Sequence, residues 1–306
     1  MKNAGPHRIK TISEYHQFRG LPKPEHPLVS VINLDEIKNA SVATQTSWVF
    51  DFYSIALKRN FNAKVKYKYG QQTYDFNEGV LFFMAPNQVF SVETDGDYTL
   101  SGWMLLIHPD FLWQTPLAKT IHQYEYFSYS TNEALHLSDK EEITICNIFK
   151  SIQQEYHSNI DKFSQAVIST QIELLLHYSD RFYQRQFITR KISNHQILAE
   201  LDEILKAYFD NDNLIENGLP TVSDIAKSLN ISPNYLSSLL KVLTGQSTQQ
   251  HIHLKLLDKA KEKLTTTNLS VGEVAYQLGF EHAQSFSKLF KAKTNFSPLG
   301  YRKSFN

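Results

Sequence analysis

The sequence predicts an α+β protein with a β-rich N-terminal part, a helical middle segment and an all-helical C-terminal domain. Three observations predict this fold class. Short segments of alternating polar and apolar residues, separated by turn residues, fill residues 28–110, as in a β-barrel or β-sandwich. Helical periodicity replaces this alternation after residue 138. The last third of the chain repeats one pattern at a spacing of 49–50 residues, which indicates a duplicated small helical unit.

The predicted strands lie between turn signals that contain glycine or proline, such as Tyr69-Gly70 and Ala85-Pro86-Asn87. We predict strands over Ala63–Tyr69, Gln72–Phe76, Gly79–Ala85, Gln88–Val92 and Thr99–Ile107. Short strands at this spacing favour a closed barrel or a two-sheet sandwich. The sequence alone does not choose between these two architectures.

The middle segment predicts two helices. Ser138 and Glu141 are spaced as a capping box for a helix that ends near Tyr156. Asp161 is expected to cap a second helix, whose apolar positions have helical spacing. These positions are Phe163, Val167, Leu174, Tyr178 and Phe182. We therefore divide the chain into a β-rich domain (1–137), a helical element (138–188), a linker (189–194) and a C-terminal helical domain (195–306).

The composition is that of an ordinary globular chain. Its 306 residues are 42% apolar and 20% charged, which excludes the intrinsically disordered class. The sequence has no run of ~18 apolar residues for a membrane span, and we expect no secretory leader. Cys146 is the one cysteine, so we expect a cytoplasmic protein in which Cys146 is a buried apolar residue.

Charge is distributed unevenly along the chain. From Leu219 to the end there are 11 Lys and Arg against five Asp and Glu, whereas residues 1–218 hold 20 basic and 26 acidic residues. A basic segment on a chain with zero net charge indicates a polyanionic partner for that segment.

Each repeated unit is predicted to be a helix, a turn and a second helix. In the first unit Thr221 or Ser223 caps a short helix, Ser232-Pro233 begins the next helix, and Gly245 ends it. In the second unit Ser270, Gly279 and Asn295 have the corresponding roles. Apolar positions match between the units, with Leu236, Leu239 and Leu240 returning as Phe286, Leu289 and Phe290.

A polar stripe lies opposite the apolar stripe on the second helix of each unit. The first stripe is Asn234, Ser237, Ser238 and Lys241, and the second is Gln284, Ser287, Lys288 and Lys291. These side chains are of the types that read base edges or bind phosphate, although a solvated helix face would have the same pattern. A helix from about Thr248 to Leu264 joins the units, and at ~1.5 Å per residue it spans roughly 25 Å. Its lysines 255, 259, 261 and 263 are either phosphate contacts or solubilising residues.

These residues resemble the AraC family of bacterial transcription regulators. The first unit matches through Asp224-Ile225-Ala226, Ser232-Pro233-Asn234-Tyr235-Leu236 and Thr244-Gly245. The second matches through Val274-Ala275, Gly279-Phe280, Phe286-Ser287-Lys288-Leu289-Phe290-Lys291, Ser297-Pro298 and Tyr301-Arg302. The resemblance covers about Leu219 to Arg302.

The resemblance implies two helix-turn-helix units whose second helices read double-stranded DNA. By position, the base-reading residues are Asn234, Ser237, Ser238, Gln284, Ser287 and Lys288. The expected contacts to the DNA backbone are Thr221, Ser232, Lys241, Lys261, His282 and Lys291. Because the two serines are small, the first unit either reads few bases and holds the backbone or relies on DNA shape.

The resemblance also implies a cupin-like sensor in the β-rich domain, a dimerisation element in the helices after Ser138, and RNA polymerase as a partner of an activator. A small organic effector is expected to bind among the aromatic residues of the predicted strands, although core packing explains them equally well. These are Tyr53, Tyr67, Tyr74, Phe82 and Trp103. We expect no cofactor and no membrane contact.

An enzymatic β-rich domain tethered to DNA is the alternative hypothesis. Cupin enzymes hold metal with closely spaced histidines and a carboxylate, and no histidine lies between Ala63 and Val92. We therefore expect no catalytic residue and no metal. A module that docks other proteins through its helix pairs is a third hypothesis, but the polar stripes disfavour it. The sequence thus favours a dimeric, sequence-specific transcription regulator. Activation of transcription is implied by the family resemblance alone.

Overall fold

The computed structural model of the chain describes residues 6–37, 46–59, 65–69, 72–74, 79–94, 101–130, 133–158, 161–189, 191–210, 214–215 and 218–304. Side chains at 46, 65–69, 72–74, 91–94, 191–193 and 210 are outside this description. The chain forms two compact units, residues 1–186 and 187–306. The first holds the β-rich domain and the second holds the repeat.

The N-terminal unit contains two five-stranded sheets over the described residues, which confirms the predicted β-rich domain. Sheet 1 has the order β1-β3-β8-β5-β6 and sheet 2 has the order β10-β7-β4-β9-β2. The strands are β1 (His7–Ile9), β2 (Val29–Asn33), β3 (Thr46–Phe50), β4 (Tyr53–Arg59), β5 (Val65–Tyr69), β6 (Gln72–Tyr74), β7 (Val80–Met84), β8 (Val89–Thr94), β9 (Ser101–Ile107) and β10 (Leu135–His136). Every recorded pair is antiparallel except β1 with β3.

Helices α1 (Ile12–Phe18), α2 (Leu117–Thr120), α3 (Asp139–Tyr156) and α4 (Ser164–Thr189) complete the first unit. The predicted capping box is present at α3, because Ser138 and Glu141 exchange hydrogen bonds. Asp161 accepts hydrogen bonds from the backbone N–H groups of Phe163 and Ser164, as predicted for α4. The strand β1 and helix α1 were not predicted, since three- and seven-residue elements carry little periodicity.

The main apolar core of this unit lies between sheet 2 and the helices. Leu57 pairs with Leu81 across the sheet, Leu105 pairs with Ile55 on the same face, and all four are fully buried. Trp103 of β9 stacks on Phe149 of α3 with ring centroids 6.1 Å apart. A smaller cluster with Phe50, Phe52 and Leu106 lies on the opposite face of the sheet.

The helix predicted after Asp161 is present, but its named apolar positions are not all on the buried face. Phe163, Val167 and Leu174 are 60%, 38% and 46% exposed. The buried stripe instead contains Ile168, Ile172, Leu175 and Leu176, together with Phe182. Helix α4 has two apolar faces, and the sequence does not show which one the sheet covers.

The described residues of the predicted linker at 189–194 lie in helices. Helix α4 continues to Thr189, and helix α5 (Lys191–Asp210) begins almost at once. The amide of Asn194 donates to the carbonyl of Phe187, so the first turn of α5 is bonded to the last turn of α4.

The C-terminal unit is helical throughout its described residues. After α5 it contains α6 (Val222–Ser228), α7 (Pro233–Thr244), α8 (Thr248–Thr266), α9 (Val271–Gln277), α10 (Ala283–Thr294) and α11 (Pro298–Lys303). One apolar cluster joins these helices and includes Leu205, Leu240, Leu256, Val274 and Phe290. Among the described helices of the whole chain, none has the length and apolarity that crossing a bilayer requires.

Candidate nucleic-acid interface

The first repeated unit is helix α6, a turn and helix α7. Thr221 caps α6 and exchanges hydrogen bonds with Asp224, whose carboxylate accepts from the Thr221 hydroxyl at 2.7 Å. These bonds lower the pKa of Asp224. Asn230 adopts φ +55° in the turn, and Ser232 then caps α7 by accepting from the N–H of Tyr235 at 3.2 Å. Gly245 ends α7 with φ +73°, as predicted.

The second unit repeats this construction with helices α9 and α10. Ser270 and Glu273 form the capping box of α9, and the turn uses Gly279 at φ +79°. His282 occupies the N-cap position of α10 without a capping side-chain bond. Asn295 ends α10 at φ +63°, in the place that Gly245 has in the first unit.

Buried apolar residues fix the orientation of both second helices. In α7, Leu236, Leu239 and Leu240 are fully buried, and in α10 Phe286 and Phe290 are nearly so. Because a helix turns by about 100° per residue, these residues commit one face to the core. The opposite face of each helix is therefore directed to solvent.

The polar stripes lie mainly on this solvent face. Asn234, Gln284 and Lys288 are exposed, as are Lys241 and Lys291. The three serines of the stripes, Ser237, Ser238 and Ser287, are half-buried at its edge. Asn234, Gln284 and Lys288 thus share the solvent faces of the two second helices.

Ser237 differs from the other stripe residues. Its hydroxyl lies 3.2 Å from the hydroxyl of Thr248, which is fully buried at the start of α8. Ser237 therefore links helix α7 to the connecting helix α8.

The residues expected to contact the DNA backbone fall into two groups. Thr221 and Ser232 use their hydroxyls as helix caps, and Ser232 is only 8% exposed. Lys241, Lys291 and His282 are exposed, while Lys261 is half-buried on α8. Three other lysines of α8 already contact protein groups: Lys255 contacts Asp202, Lys259 contacts Glu262, and Lys263 contacts Gln277.

Arg302 holds the connecting helix in a way that sequence reasoning missed. Its Nε donates to the carbonyl of Leu264 at 2.9 Å, near the C-terminal end of α8. Lys263 of the same turn donates to Gln277 of α9 at 2.8 Å. These contacts fix the second unit against the connecting helix. The signal for Arg302 was its place in the closing signature, but only the tertiary contact gives its role.

Two family models match the chain. A helix-turn-helix domain matches residues 225–304, and an AraC-like ligand binding domain matches residues 64–176. The chain belongs to the AraC family of transcription regulators. It is a regulator with a DNA-binding helix-turn-helix domain and a ligand-binding N-terminal domain.

The regulator is similar to several AraC-type proteins. It is 38% identical over 84 residues to the raffinose operon transcriptional regulatory protein RafR of Pediococcus pentosaceus, a match that spans 28% of this chain but only 30% of RafR. It is 26% identical over 244 residues to the HTH-type transcriptional regulator YfiF of Bacillus subtilis, covering 77% of this chain and 72% of YfiF. The solved C-terminal domain of AraT from Geobacillus stearothermophilus aligns with a TM-score of 0.31 and 29% identity. The alignment covers 35% of this chain and 84% of that domain.

The predicted effector residues of this AraC-family protein do not share one face. Tyr53 and Trp103 lie on the helix side of sheet 2, where Tyr53 contacts the ring of Phe127 at 5.2 Å and Trp103 stacks on Phe149. Phe82 lies on the opposite side, because β7 alternates and Phe83 contacts Tyr126 on the helix side. Tyr67 and Tyr74 are paired across β5 and β6, but their side chains lie outside the described residues.

A metal centre was not expected in the regulator. Within the described part of the chain, no three His, Cys, Asp or Glu residues are grouped so that they could hold a metal ion. Cys146 is buried as expected, and it accepts a contact from the guanidinium of Arg59 at 2.6 Å. Burial raises the pKa of its thiol.

Proposed function

We propose that this AraC-family regulator recognises a specific operator by placing α7 and α10 in successive major grooves. The supporting observation is the exposed polar face on both second helices, opposite buried Leu236 and Phe286. The connecting helix α8 has 19 residues and spans roughly 28 Å. This length suits two reading helices about one DNA turn, ~34 Å, apart.

The second unit carries most of the direct base reading. Gln284 has the amide that pairs with adenine, and Lys288 donates to guanine acceptors. In the first unit Asn234 reads a base, while Ser238 is short and contributes less. Ser287 flanks the second reading face, and Ser237 acts as a positioning residue through Thr248.

Phosphate contacts come from the exposed cations beside these faces. Lys241 and Lys291 follow the reading residues by one helical turn on the same face. His282 lies at the N-terminus of α10, where the backbone N–H groups favour an anion. Lys261 adds a contact from α8. The caps Thr221 and Ser232 hold the N-terminal ends of α6 and α7 in position beside the DNA backbone.

Homodimerisation through α4 is the second part of the proposal. Phe163, Val167 and Leu174 form an exposed apolar face along this helix, at spacings of four and seven residues. A helix buries such a face against a partner, and a second copy offers the same face in a twofold interface. As a dimer in the cytoplasm, the protein regulates transcription by contact with RNA polymerase, and activation is the proposed direction.

A small-molecule effector completes the proposal. The N-terminal unit carries the ligand-binding match, and the name of RafR links that relative to the raffinose operon. We propose that binding of a small molecule between the two sheets alters operator binding, without a catalytic step.

The test is selection of bound sequences from random DNA by the full chain, followed by a salt titration of the recovered site. We expect a defined motif, and log Kd that rises linearly with log salt concentration with a slope near 0.9 per phosphate contact. Absence of an enriched motif would exclude sequence-specific binding. A salt-independent Kd would exclude the assigned phosphate contacts.

A further inference from the structure

The end of helix α7 is bonded to the start of helix α8. Thr244 is the last residue of α7, and its hydroxyl oxygen lies 2.9 Å from Nε2 of His251. His251 lies in the first turn of α8 and is half-buried. Only Gly245, Gln246 and Ser247 separate the two helices, so this contact closes the turn between them.

The direction of this hydrogen bond follows from the single proton of a hydroxyl group. Thr244 donates that proton to the carbonyl of Leu240 at 2.8 Å, and its oxygen accepts from the backbone N–H of Gln246 at 3.2 Å. Nε2 of His251 must therefore be the donor, and it uses the second lone pair of the hydroxyl oxygen. Burial lowers the pKa of His251, which favours the neutral ring with its proton on Nε2.

The hydroxyls of Ser237 and Thr248 form a second contact between the same two helices. Ser237 and Thr244 are seven residues apart on α7, and Thr248 and His251 are three residues apart on α8. Each pair therefore lies on one face of its helix. These two contacts, which we call the α7–α8 clasp, are about two helical turns apart on α7. The clasp therefore restricts rotation of α7 about its own axis.

The clasp lies along the polar face of α7 that is proposed to meet DNA. Asn234, Ser237, Lys241 and Thr244 follow one another at spacings of three, four and three residues and share that face. Asn234 and Lys241 are exposed, whereas Ser237 and Thr244 are bonded to α8. A rotation of α7 would therefore move Asn234 and Lys241 relative to a base pair or a phosphate.

The second repeated unit has different residues at the α8 positions of the clasp. In the alignment of the two units, Thr248 and His251 correspond to Pro298 and Tyr301. The side chain of Pro298 has no hydroxyl, and the ring of Tyr301 packs on Phe290 with centroids 5.5 Å apart. The first unit thus makes polar contacts where the second unit packs an aromatic ring.

We propose that His251 is a positioning residue for base recognition, because through Thr244 it fixes the orientation in which α7 presents Asn234 and Lys241 to DNA. This inference rests on the proposed recognition of an operator, and it assigns a part in that recognition to a side chain outside the polar stripes. The small side chain of Ser237 fits this arrangement, since its hydroxyl is used in the clasp and not for base reading.

The test uses His251→Phe in the full chain, which keeps an aromatic ring and removes the N–H donor. Its base preference is measured with single-base variants of the selected operator. Positions that lose preference in Asn234→Ala define the contacts of the first unit, and positions that lose it in Gln284→Ala define those of the second. We expect His251→Phe to weaken operator binding about fivefold, the effect of one lost hydrogen bond. It should relax preference at the first-unit positions alone.

Two further variants control this experiment. His251→Gln should restore affinity and preference, because its amide nitrogen is separated from Cα by the same number of bonds as Nε2 of histidine. His253→Phe is the matched control, since His253 lies on the same helix and contacts Gln249 within it. It should leave the first-unit preference unchanged. Hydrogen exchange without DNA should quicken at the amides of the last turn of α7 in His251→Phe but not in His251→Gln.

An unchanged preference in a folded His251→Phe would overturn the inference, and so would an equal loss at the positions of both units. Failure of His251→Gln to restore the preference, or the absence of any position that depends on Asn234, would also overturn it. Thermal melting establishes that each variant is folded. If the unchanged protein selects no operator, the proposed function fails, and the exchange measurement still decides whether His251 holds α7.

Discussion

At the scale of residues, the proposed base contacts and the proposed phosphate contacts lie at different places on α7 and α10. Gln284 is exposed in the first turn of α10 and Lys288 is exposed near its middle, whereas Lys241 lies toward the end of α7. Loss of a side chain that reads a base changes the preference at the base pairs it contacts. Loss of a phosphate contact lowers the affinity for all sequences alike. This difference can be measured directly.

We predict that Gln284→Ala and Lys288→Ala each weaken operator binding by about 1–3 kcal/mol and relax preference at one or two positions. Lys241→Ala should weaken binding to all DNA sequences equally. It should also reduce the slope of log Kd against log salt concentration by about the contribution of one phosphate contact. Gel-shift titrations against single-base operator variants measure both effects. Lys119→Ala is the matched control, and a uniform loss in Gln284→Ala would contradict base reading.

The turn of the second unit depends on Gly279. Its φ is +79°, and a Cβ at this position would lie 2.8 Å from the carbonyl oxygen of Leu214. We predict that Gly279→Ala lowers the free energy of unfolding by about 1–3 kcal/mol. Gly245→Ala has the same sign of φ but no atom within 4 Å of the added Cβ, so it should cost less. Urea denaturation of both variants tests this order, and equal losses would show that the close approach is unimportant.

At the scale of elements, α4 has two apolar faces with different roles. Ile172 is fully buried against the N-terminal unit, while Leu174, two residues later, is 46% exposed. We predict that Ile172→Ala lowers the free energy of unfolding by about 2–5 kcal/mol through the cavity it leaves. Leu174→Ala should change the stability of the monomer by less than about 0.5 kcal/mol. Denaturation at low protein concentration measures the free energy of unfolding of both variants. Equal losses in the two variants would show that Leu174 is packed within the monomer.

An ion pair joins α3 to α4. Arg185 donates to both carboxylate oxygens of Glu141, at 3.0 and 2.6 Å, and to the carbonyl of His136. Burial alone would raise the pKa of Glu141, but the hydrogen bonds from Arg185 and Ser138 outweigh it and lower this pKa. Since the pKa is lower in the folded state, the stabilisation is complete above the unfolded value of about 4.3 and is lost as pH falls through the folded value.

We therefore predict that Glu141→Gln is less stable than the unchanged protein at pH 7 and that the difference shrinks below about pH 4.3. Thermal melting from pH 7 to pH 3.5 measures this difference. Glu200→Gln, which changes an exposed residue of α5, is the control and should show little change. A difference that grows on acidification would reverse the assigned sign.

At the scale of the whole molecule, dimerisation multiplies what one C-terminal unit can bind. In the proposed dimer each protomer would present α7 and α10 to DNA, which makes four such helices, and linked sites bind more tightly than separate ones. We predict that Leu174→Glu is monomeric by sedimentation velocity and protects one half-site where the unchanged protein protects two. Thr170→Ser, on the same exposed face, should remain dimeric. A full-length footprint from a monomeric Leu174→Glu would separate DNA binding from dimerisation.

Much of the local structure was predictable because it depends on neighbouring residues. The capping box of Ser138 and Glu141, the caps at Ser232 and Ser270, and the left-handed ends at Gly245 and Asn295 each involve residues close in the chain. The repeat was detectable for the same reason, since both units conserve the spacing of core residues such as Leu240 and Phe290. The polar faces of α7 and α10 were predictable from helical periodicity.

What the sequence by itself determined is therefore the two-part organisation, the duplicated helical unit and the polar faces of α7 and α10. Tertiary structure decided which of the two apolar faces of α4 is buried, and which face of sheet 2 the helices cover. It placed Trp103 against Phe149 and left Lys58 and Phe82 together on the opposite face. The physical reason is that periodicity fixes which side chains share a face, whereas burial of that face depends on elements distant in the chain.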